Sequence, residues 1–221
     1  MWTDNIDSIF LVNTSDIIGN QRLELSQKEL SIKKIPPFIR YEAIIDTKNG
    51  ANGLLMTMRK LFEENVGKNI MVFEDDILFL REDFNEIMEL ALGQLDKEYL
   101  CLYLGCNLLT APVKVSDNLL KVMGAYSSHS VIYSKTCIDL MLTLWQYDKS
   151  FDMFLMQKVQ PYGKSFCINP MLVSQRKGVS SIFEYVPEKQ IGIDTYYNKE
   201  TKEIDWGLMM TERFEMFTKN L

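Results

Sequence analysis

Three consecutive acids, Glu74, Asp75 and Asp76, interrupt the otherwise apolar run "NIMVFEDDILFL", residues 69 to 80. Crowded carboxylates repel one another, and burial removes their hydration, so such a cluster usually needs a cation or a shared proton. One interpretation is therefore a metal site. The alternative is an ordinary solvated turn that opens the next helix, where negative charge favours the positive end of the helix dipole. The triplet alone favours neither interpretation.

If the strand continues through the triplet, its period-2 alternation places Glu74 and Asp76 on one side and Asp75 on the other. Two carboxylates can then converge on one cation. Carboxylate oxygens suit Mg²⁺ and Mn²⁺, and these ions commonly keep positions for water and substrate phosphates. The expected cofactor is accordingly Mn²⁺ or Mg²⁺.

Several competing chemistries lack the residues that they require. The sequence contains no G-x-x-x-x-G-K-[ST] loop, no G-x-G-x-x-G after the first predicted strand and no G-x-S-x-G elbow. His129 is the only histidine, which makes a zinc site or a histidine-based triad hard to build. We expect His129 in a strand or at its rim rather than on a metal.

The apolar periodicity predicts alternating strands and helices up to residue 105. The predicted strands are 6–13, 38–46, 69–75 and 99–105, and the predicted helices are 26–35, 51–66 and 81–95. A loop with turn and cap residues, "NTSDIIGNQR", separates the first strand from the first helix. This order predicts an α/β fold with a mostly parallel central sheet and helices on both of its faces.

The second half of the chain is less regular. It predicts strands at 119–134 and 164–172 and helices at 135–148, 151–160 and about 207–219. No repeat or linker divides the sequence, so we predict one domain over residues 1–221, with 183–221 as a C-terminal loop and helix extension. Ligands of open α/β sheets bind at the carboxyl ends of the strands, where Asn13, Asp46, the triplet and Gly105 fall in this interpretation.

Composition narrows the classes of partner. The 221 residues are 47% hydrophobic, enough for one sizeable core. A formal net charge of −6 and a pI near 5.0 disfavour broad binding to nucleic acid or to anionic membrane, although a local basic patch can still hold phosphates. The four cysteines are expected to be reduced packing residues. With no signal-like leader and no apolar stretch of bilayer length, we expect a cytoplasmic protein without a transmembrane segment.

Several stretches, taken together, resemble a known family. In order from about Ile9 to Ile182 they are "IFLVN", Arg22, "GLLMTMRKLFEE", "IMVFEDDILF", "YLG", "AYSSHSVIYSKTCIDLML", "SFDMFLMQ" and "INPMLVSQRKGVSSI". Their order and spacing are similar to those of the glycosyltransferase family 25 domain of lipooligosaccharide synthesis and collagen galactosylation. The glutamate followed by two aspartates is the most specific match. The sequence departs from the family in "GLLMTMRK", where Leu54 replaces a cysteine and Thr57-Met58 replaces Ser-His.

The resemblance implies a single GT-A-type, Rossmann-like domain that binds a nucleotide-sugar donor and a divalent cation. Glu74 and Asp76 then occupy the outer positions of a motif of the Asp-x-Asp type, with Asp75 between them. Asp152 matches a late aspartate of the family, which makes it the expected base for the acceptor hydroxyl. Its alternative role is that of an exposed carboxylate at the start of a helix.

The resulting hypothesis is an inverting, metal-dependent hexosyl transfer from a UDP-linked donor to a hydroxyl of a glycan or a protein-linked acceptor. The residues expected at the nucleotide are Val12, Asn13, Arg22 and Arg59, and those expected at the sugar or phosphates are Gln175, Arg176 and Lys177. Two alternatives stay open. One is a nucleotidyltransferase that acts on a sugar phosphate, and the other is an inactive nucleotide-sugar-binding module, which the altered "GLLMTMRK" helix suggests.

Overall fold

A computed structural model describes residues 1–145, 150–178, 196–198, 203–219 and 221. The α-helices are α1 (Ile17–Ile32), α2 (Gly50–Glu63), α3 (Phe84–Gln94), α4 (Lys135–Leu144), α5 (Phe151–Phe154) and α6 (Trp206–Thr218). The 3₁₀ segments are Trp2–Asn5 and Gln160–Tyr162, and a π-helical turn spans Leu155–Val159. The first seven strands are β1 (Ser8–Asn13), β2 (Ile39–Glu42), β3 (Ile70–Glu74), β4 (Ile77–Phe79), β5 (Cys101–Tyr103), β6 (Asn107–Leu108) and β7 (Val113–Lys114). The others are β8 (Leu119–Lys121), β9 (Ala125–Tyr126), β10 (Ser130–Tyr133), β11 (Ser165–Ile168), β12 (Val173–Gln175), β13 (Tyr197–Asn198) and β14 (Glu203–Ile204).

The centre of the molecule is an eight-stranded sheet in the order β2-β1-β3-β10-β5-β11-β8-β7. The strands β2, β1 and β3 are parallel, as are β5 and β11, while β10 and β8 run against their neighbours on both sides. Six of the eight strands therefore point in one direction. The predicted α/β fold with a mostly parallel sheet is confirmed, with β10 inserted antiparallel at its centre.

Helices cover both faces of this sheet, and the side chains of β3 alternate between the two cores. Ile70 and Val72 pack with residues of α2, α4 and α5, whereas Met71 and Phe73 pack with residues of α3. All four side chains are buried. Burial on both faces is the physical reason that this strand is a continuous apolar run without alternation, as the sequence predicted.

The first helix begins earlier than predicted. The sequence predicted a loop over 13–22 and a helix over 26–35, but α1 starts at Ile17. Asp16 caps it, because its Oδ1 accepts a hydrogen bond of 2.6 Å from the N–H of Gly19. Ile17 and Ile18 are exposed, so this turn lacks the apolar periodicity that marks a helix. The predicted loop is thus too long, because residues 17–22 belong to α1.

Other elements differ in extent. The single strand predicted at 119–134 is three strands, β8, β9 and β10, and the helix predicted at 151–160 is α5 followed by the π-helical turn. The predicted C-terminal helix is α6, while residues 183–195 of the predicted extension lie outside the described part of the chain. In the described ranges, no helix is both long and apolar enough to cross a membrane.

Candidate active site

The acidic triplet lies where β3 gives way to a turn. Glu74 is the last residue of β3, and Asp75 and Asp76 form the turn before β4. The neighbouring parallel strand β1 ends at Asn13, and its Val12 is the register partner of Glu74. Because parallel strands end at the same edge of a sheet, this pairing brings Asn13 to the triplet.

Asp75 is held by several partners. Its Oδ2 accepts a hydrogen bond of 2.8 Å from Nδ2 of Asn13, and its Oδ1 lies 3.5 Å from the guanidinium of Arg22. The main-chain oxygen of Asp75 accepts a bond of 2.7 Å from the hydroxyl of Ser26. Burial raises the pKa of Asp75, while Asn13 and Arg22 oppose the rise. This carboxylate is anchored in the protein on both of its oxygens.

Asn13, which bonds Asp75, is itself held in place by two further hydrogen bonds. Its Nδ2 also donates to the main-chain oxygen of Gly19 at 2.7 Å, and its Oδ1 accepts from Nε of Arg40 at 3.0 Å. The residue is 1% exposed, and both polar atoms of its amide are occupied by the protein. Beside it, the side chain of Val12 is buried in the core. Nucleotide contacts by these two residues stay a prediction.

Glu74 lies on a different side of the turn. Its Oε1 accepts a hydrogen bond of 3.2 Å from the hydroxyl of Ser128. Burial raises the pKa of Glu74 well above its ordinary value, and the negative charges of Asp76, Asp152 and Asp75 raise it further. The charge on this carboxylate is therefore poorly compensated by the protein.

Asp76 is only half-paired. Its Oδ2 accepts from Nε2 of Gln175 at 3.2 Å, and its main-chain oxygen accepts from the N–H of Arg176 at 2.6 Å. Its Oδ1 is buried and has no hydrogen-bond partner among the described residues. Burial and the charge of Asp75 raise the pKa of Asp76 to about 6. A buried carboxylate oxygen without a donor is costly, which makes this atom the candidate ligand-binding atom of the site.

The donor set fits Mg²⁺ or Mn²⁺ in part. Glu74 and Asp76 supply under-compensated carboxylate oxygens, which these hard cations bind. Among the described residues, however, no group of three or more histidine, cysteine, aspartate or glutamate side chains is assembled to hold a metal ion. Any cation here would take its remaining ligands from water or from a bound phosphate. Mg²⁺ in particular usually binds in this way.

Asp152 comes to the same site from the other half of the chain. It lies in the first turn of α5, where Ser150 is the N-cap residue, and its Oδ1 accepts a bond of 3.1 Å from the N–H of Ser128. Asp152 is half-buried rather than exposed, so the alternative of an exposed helix-start carboxylate is wrong on exposure. Burial raises the pKa of Asp152, and its charge acts on Glu74.

Apart from Arg22, the predicted cations lie on α2 and directly after β12. Arg176 pairs with Glu29 of α1 at 2.8 Å, and Lys177, the next residue, is exposed. Arg59 lies on α2, where it pairs with Glu63 one helical turn away at 2.7 Å. Contacts of these three residues with a phosphate or a nucleotide stay predictions.

One site residue was missed by the sequence reasoning: Ser128 contacts two of the acids. His129 lies at the rim of β10, as expected, and is fully buried with its Nε2 3.3 Å from the main-chain oxygen of Val173. Both residues precede β10 rather than lying in it. The polar cluster "YSSHS" within an apolar stretch was the available signal. Its meaning depended on β10 being antiparallel, which places the start of that strand, not its end, beside Glu74.

The fold and site define an α/β protein with an acidic site at the carboxyl edge of its sheet. No family model matches the sequence, and no curated protein matches it. Among solved structures, the chain is similar to one described as "Crystal Structure of A197 from STIV", with a TM-score of 0.47 and 11% sequence identity. The match covers 83% of this chain and 97% of that chain. A likeness this distant carries no argument about function.

Proposed function

We propose that this chain is a metal-dependent glycosyltransferase that moves a sugar from a nucleotide-sugar donor, UDP-linked in our hypothesis, to a hydroxyl of a glycan or protein-linked acceptor. The observation that carries the proposal is the buried, partnerless Oδ1 of Asp76 beside the poorly compensated carboxylate of Glu74. Acids that lack protein partners at the carboxyl edge of an α/β sheet favour a cation and a phosphate ligand. The resemblance to glycosyltransferase family 25 supplies the reaction class.

Asp76 and Glu74 would hold Mn²⁺ or Mg²⁺, and Asp75 would act through the turn that it anchors. When bound, the ion would neutralise the diphosphate that leaves with the nucleotide. The protein's own part is to orient the two carboxylates, whose ionised forms the cation would then favour. Gln175 orients Asp76 by its hydrogen bond to Oδ2, and Ser128 does the same for Glu74.

Asp152 is the proposed base for the acceptor hydroxyl. Its burial raises its pKa, which makes the carboxylate a better proton acceptor near neutral pH. The N–H of Ser128 donates to Oδ1 of Asp152, and in this hypothesis Oδ2 would face the acceptor hydroxyl. In an inverting transfer, Asp152 would take the hydroxyl proton while the acceptor oxygen attacks the anomeric carbon.

The first test is calorimetric titration of UDP, GDP and CMP into the protein, with Mn²⁺ or Mg²⁺ and then with excess chelator. We expect one nucleotide, UDP in our hypothesis, to bind only when the metal is present. Asp76→Asn should weaken that binding about 30-fold or more, because removing one partner of a buried charge interaction costs about 2–5 kcal/mol. Asp139→Asn, at an exposed acid of α4, is the matched control and should bind normally.

Equal nucleotide affinity with metal and with chelator, or unchanged affinity of the Asp76→Asn variant, would contradict the proposal. If binding is observed, product analysis with candidate sugar donors separates the reaction classes. A glycosylated acceptor supports sugar transfer, whereas release of pyrophosphate with a nucleotide left on the product identifies a nucleotidyltransferase. Tight binding without hydrolysis or transfer of any donor would identify an inactive module.

The altered α2 helix does not by itself argue for lost activity. Thr57 is buried, donates to the main-chain oxygen of Gly53 at 2.7 Å and accepts from the N–H of Ile44 at 2.8 Å. Met58 is buried in the core. Both side chains thus have structural partners, and the difference from the family motif is accommodated by packing.

A further inference from the structure

Ser128 follows a strained residue. Ser127 has φ +72°, and Lys34 is the other non-glycine residue with positive φ in the described part of the chain. A left-handed conformation costs a non-glycine residue about 1–2 kcal/mol, and such strain persists only where the surroundings impose it. Here the turn is fixed from one side by the N–H of Glu74, which donates to the main-chain oxygen of His129 at 2.8 Å. This turn places Ser128 beside Glu74 and Asp152.

One residue then contacts two acids that come from separate elements. The hydroxyl of Ser128 donates to Oε1 of Glu74 at 3.2 Å, and its N–H donates to Oδ1 of Asp152 at 3.1 Å. Ser128 is 4% exposed, so water does not readily replace it. Among the described residues, it is the one hydrogen-bond donor to the side chain of Glu74. The charge of Asp152 still raises the pKa of Glu74, so the two hydrogen bonds from Ser128 hold together acids that repel each other.

We propose that Ser128 is a positioning residue that sets the orientation of Glu74, on the cation side of the site, relative to Asp152, on the acceptor side. The inference rests on the proposed function, since it assigns a role within the same site. Ser128 touches no substrate in this role. It acts by holding two acids in one arrangement: its hydroxyl bonds Glu74, and its N–H bonds Asp152, whose pKa the hydroxyl also lowers.

The hydroxyl of Ser128 can be removed by mutation without removing its main-chain N–H. Ser128→Ala deletes the hydroxyl, which bonds Glu74 and also lowers the pKa of Asp152, but it keeps the N–H that holds Asp152. Ser128→Thr keeps both donors. Ser130→Ala is the matched control, because the hydroxyl of Ser130 is buried with no partner in the described chain. Deleting an unpaired buried hydroxyl should leave stability unchanged or improve it.

We would titrate Mn²⁺ and UDP into the wild type and the three variants and record their melting temperatures. Ser128→Ala should weaken metal-dependent UDP binding about tenfold, the usual effect of losing a hydrogen bond to a charged group. Ser128→Thr and Ser130→Ala should bind like the wild type. Unchanged binding by Ser128→Ala, or no rescue by a folded Ser128→Thr protein, would overturn the positioning role.

The crystal structure of the Ser128→Ala variant separates failure of this inference from failure of the proposed function. A Glu74 carboxylate that turns away from its wild-type position supports the inference, and an unmoved one overturns it, whether or not UDP binds. Absence of any metal-dependent nucleotide binding by the wild type would instead count against the proposed function.

Discussion

The acidic turn has two sides, and they are paired very differently. On the anchored side, Asp75 is bound by Asn13, Arg22 and Ser26, so both of its carboxylate oxygens and its main-chain oxygen have partners. On the open side, Glu74 has a single hydroxyl donor and Asp76 has a buried oxygen with no partner among the described residues.

This contrast shows that neighbouring acids of one triplet differ in how completely the protein binds them. An acid with a complete set of protein partners stabilises the fold, and removing it leaves buried donors unpaired. An acid without partners costs stability in the free protein and is retained because something else completes it. In the proposed function, Asp75 stabilises the fold, and Glu74, Asp76 and Asp152 carry the chemistry.

The largest expected difference in stability is between two isosteric variants. Asp75→Asn removes the negative charge that faces Arg22. Its new amide N–H₂ must also point at either Arg22 or Asn13, and because both are donors, one hydrogen bond is lost. We expect it to lower the free energy of unfolding by about 1–3 kcal/mol. Asp76→Asn removes a charge that burial and Asp75 already disfavour, so stability should stay equal or rise.

Urea denaturation at pH 7 in the presence of chelator measures both values. If Asp76→Asn lowered the free energy of unfolding as much as Asp75→Asn does, the anchored and open sides would not differ in their contribution to stability.

The next effect is on the pH dependence of stability. Burial lowers the pKa of His129 to about 4 from its ordinary value of 6.5. As the pH falls from 6.5 toward 4, the unfolded chain gains a proton at this residue that the folded chain does not. The stability from neutral His129 is complete above pH 6.5 and is lost as the pH falls through 4, by roughly 3 kcal/mol in all.

His129→Gln keeps a side-chain donor for Val173 but cannot titrate. Chelator-treated wild type and variant would be compared by urea denaturation at several values of pH between 4 and 7. The fall in stability toward low pH should be shallower in the variant, although the carboxylates titrate in both proteins. Parallel curves would show that His129 does not remain neutral in the folded chain.

The smallest effect concerns the support of the open side by α6. A Cβ added at Gly207 would lie 2.8 Å from the main-chain oxygen of Gln175, the residue that bonds Asp76. Gly207→Ala should push α6 and β12 apart, weaken metal-dependent UDP binding severalfold and lower the free energy of unfolding by about 1 kcal/mol. The control is Gly93→Ala in α3, where an added Cβ would meet no neighbouring side chain or element within 4 Å.

The control should be neutral or slightly stabilising, because alanine favours a helix more than glycine does. If Gly207→Ala lowers stability but leaves UDP binding unchanged, α6 supports the fold alone and Gln175 is not part of the site.

Much of the fold was predictable because it depends on local pattern. The apolar run of β3 predicted a strand buried on both faces, and the period-3.6 pattern of residues 51–66 predicted α2. The start of α1 was not predicted, because its first turn exposes Ile17 and Ile18 and is held by a cap and by packing. Arg22 accordingly reaches Asp75 from a helix rather than from the predicted loop.

By itself, the sequence determined the alternation of strands and helices and the position of three acids at the end of a buried strand. It also indicated Asp152, through the family resemblance. Only the tertiary structure decided which acid is anchored and which is open, because that depends on donors brought from β1, α1, β12 and the turn before β10. Strand direction is the physical reason. An antiparallel β10 carries Ser128 to the carboxyl edge, and pairing direction is a long-range property that local periodicity does not encode.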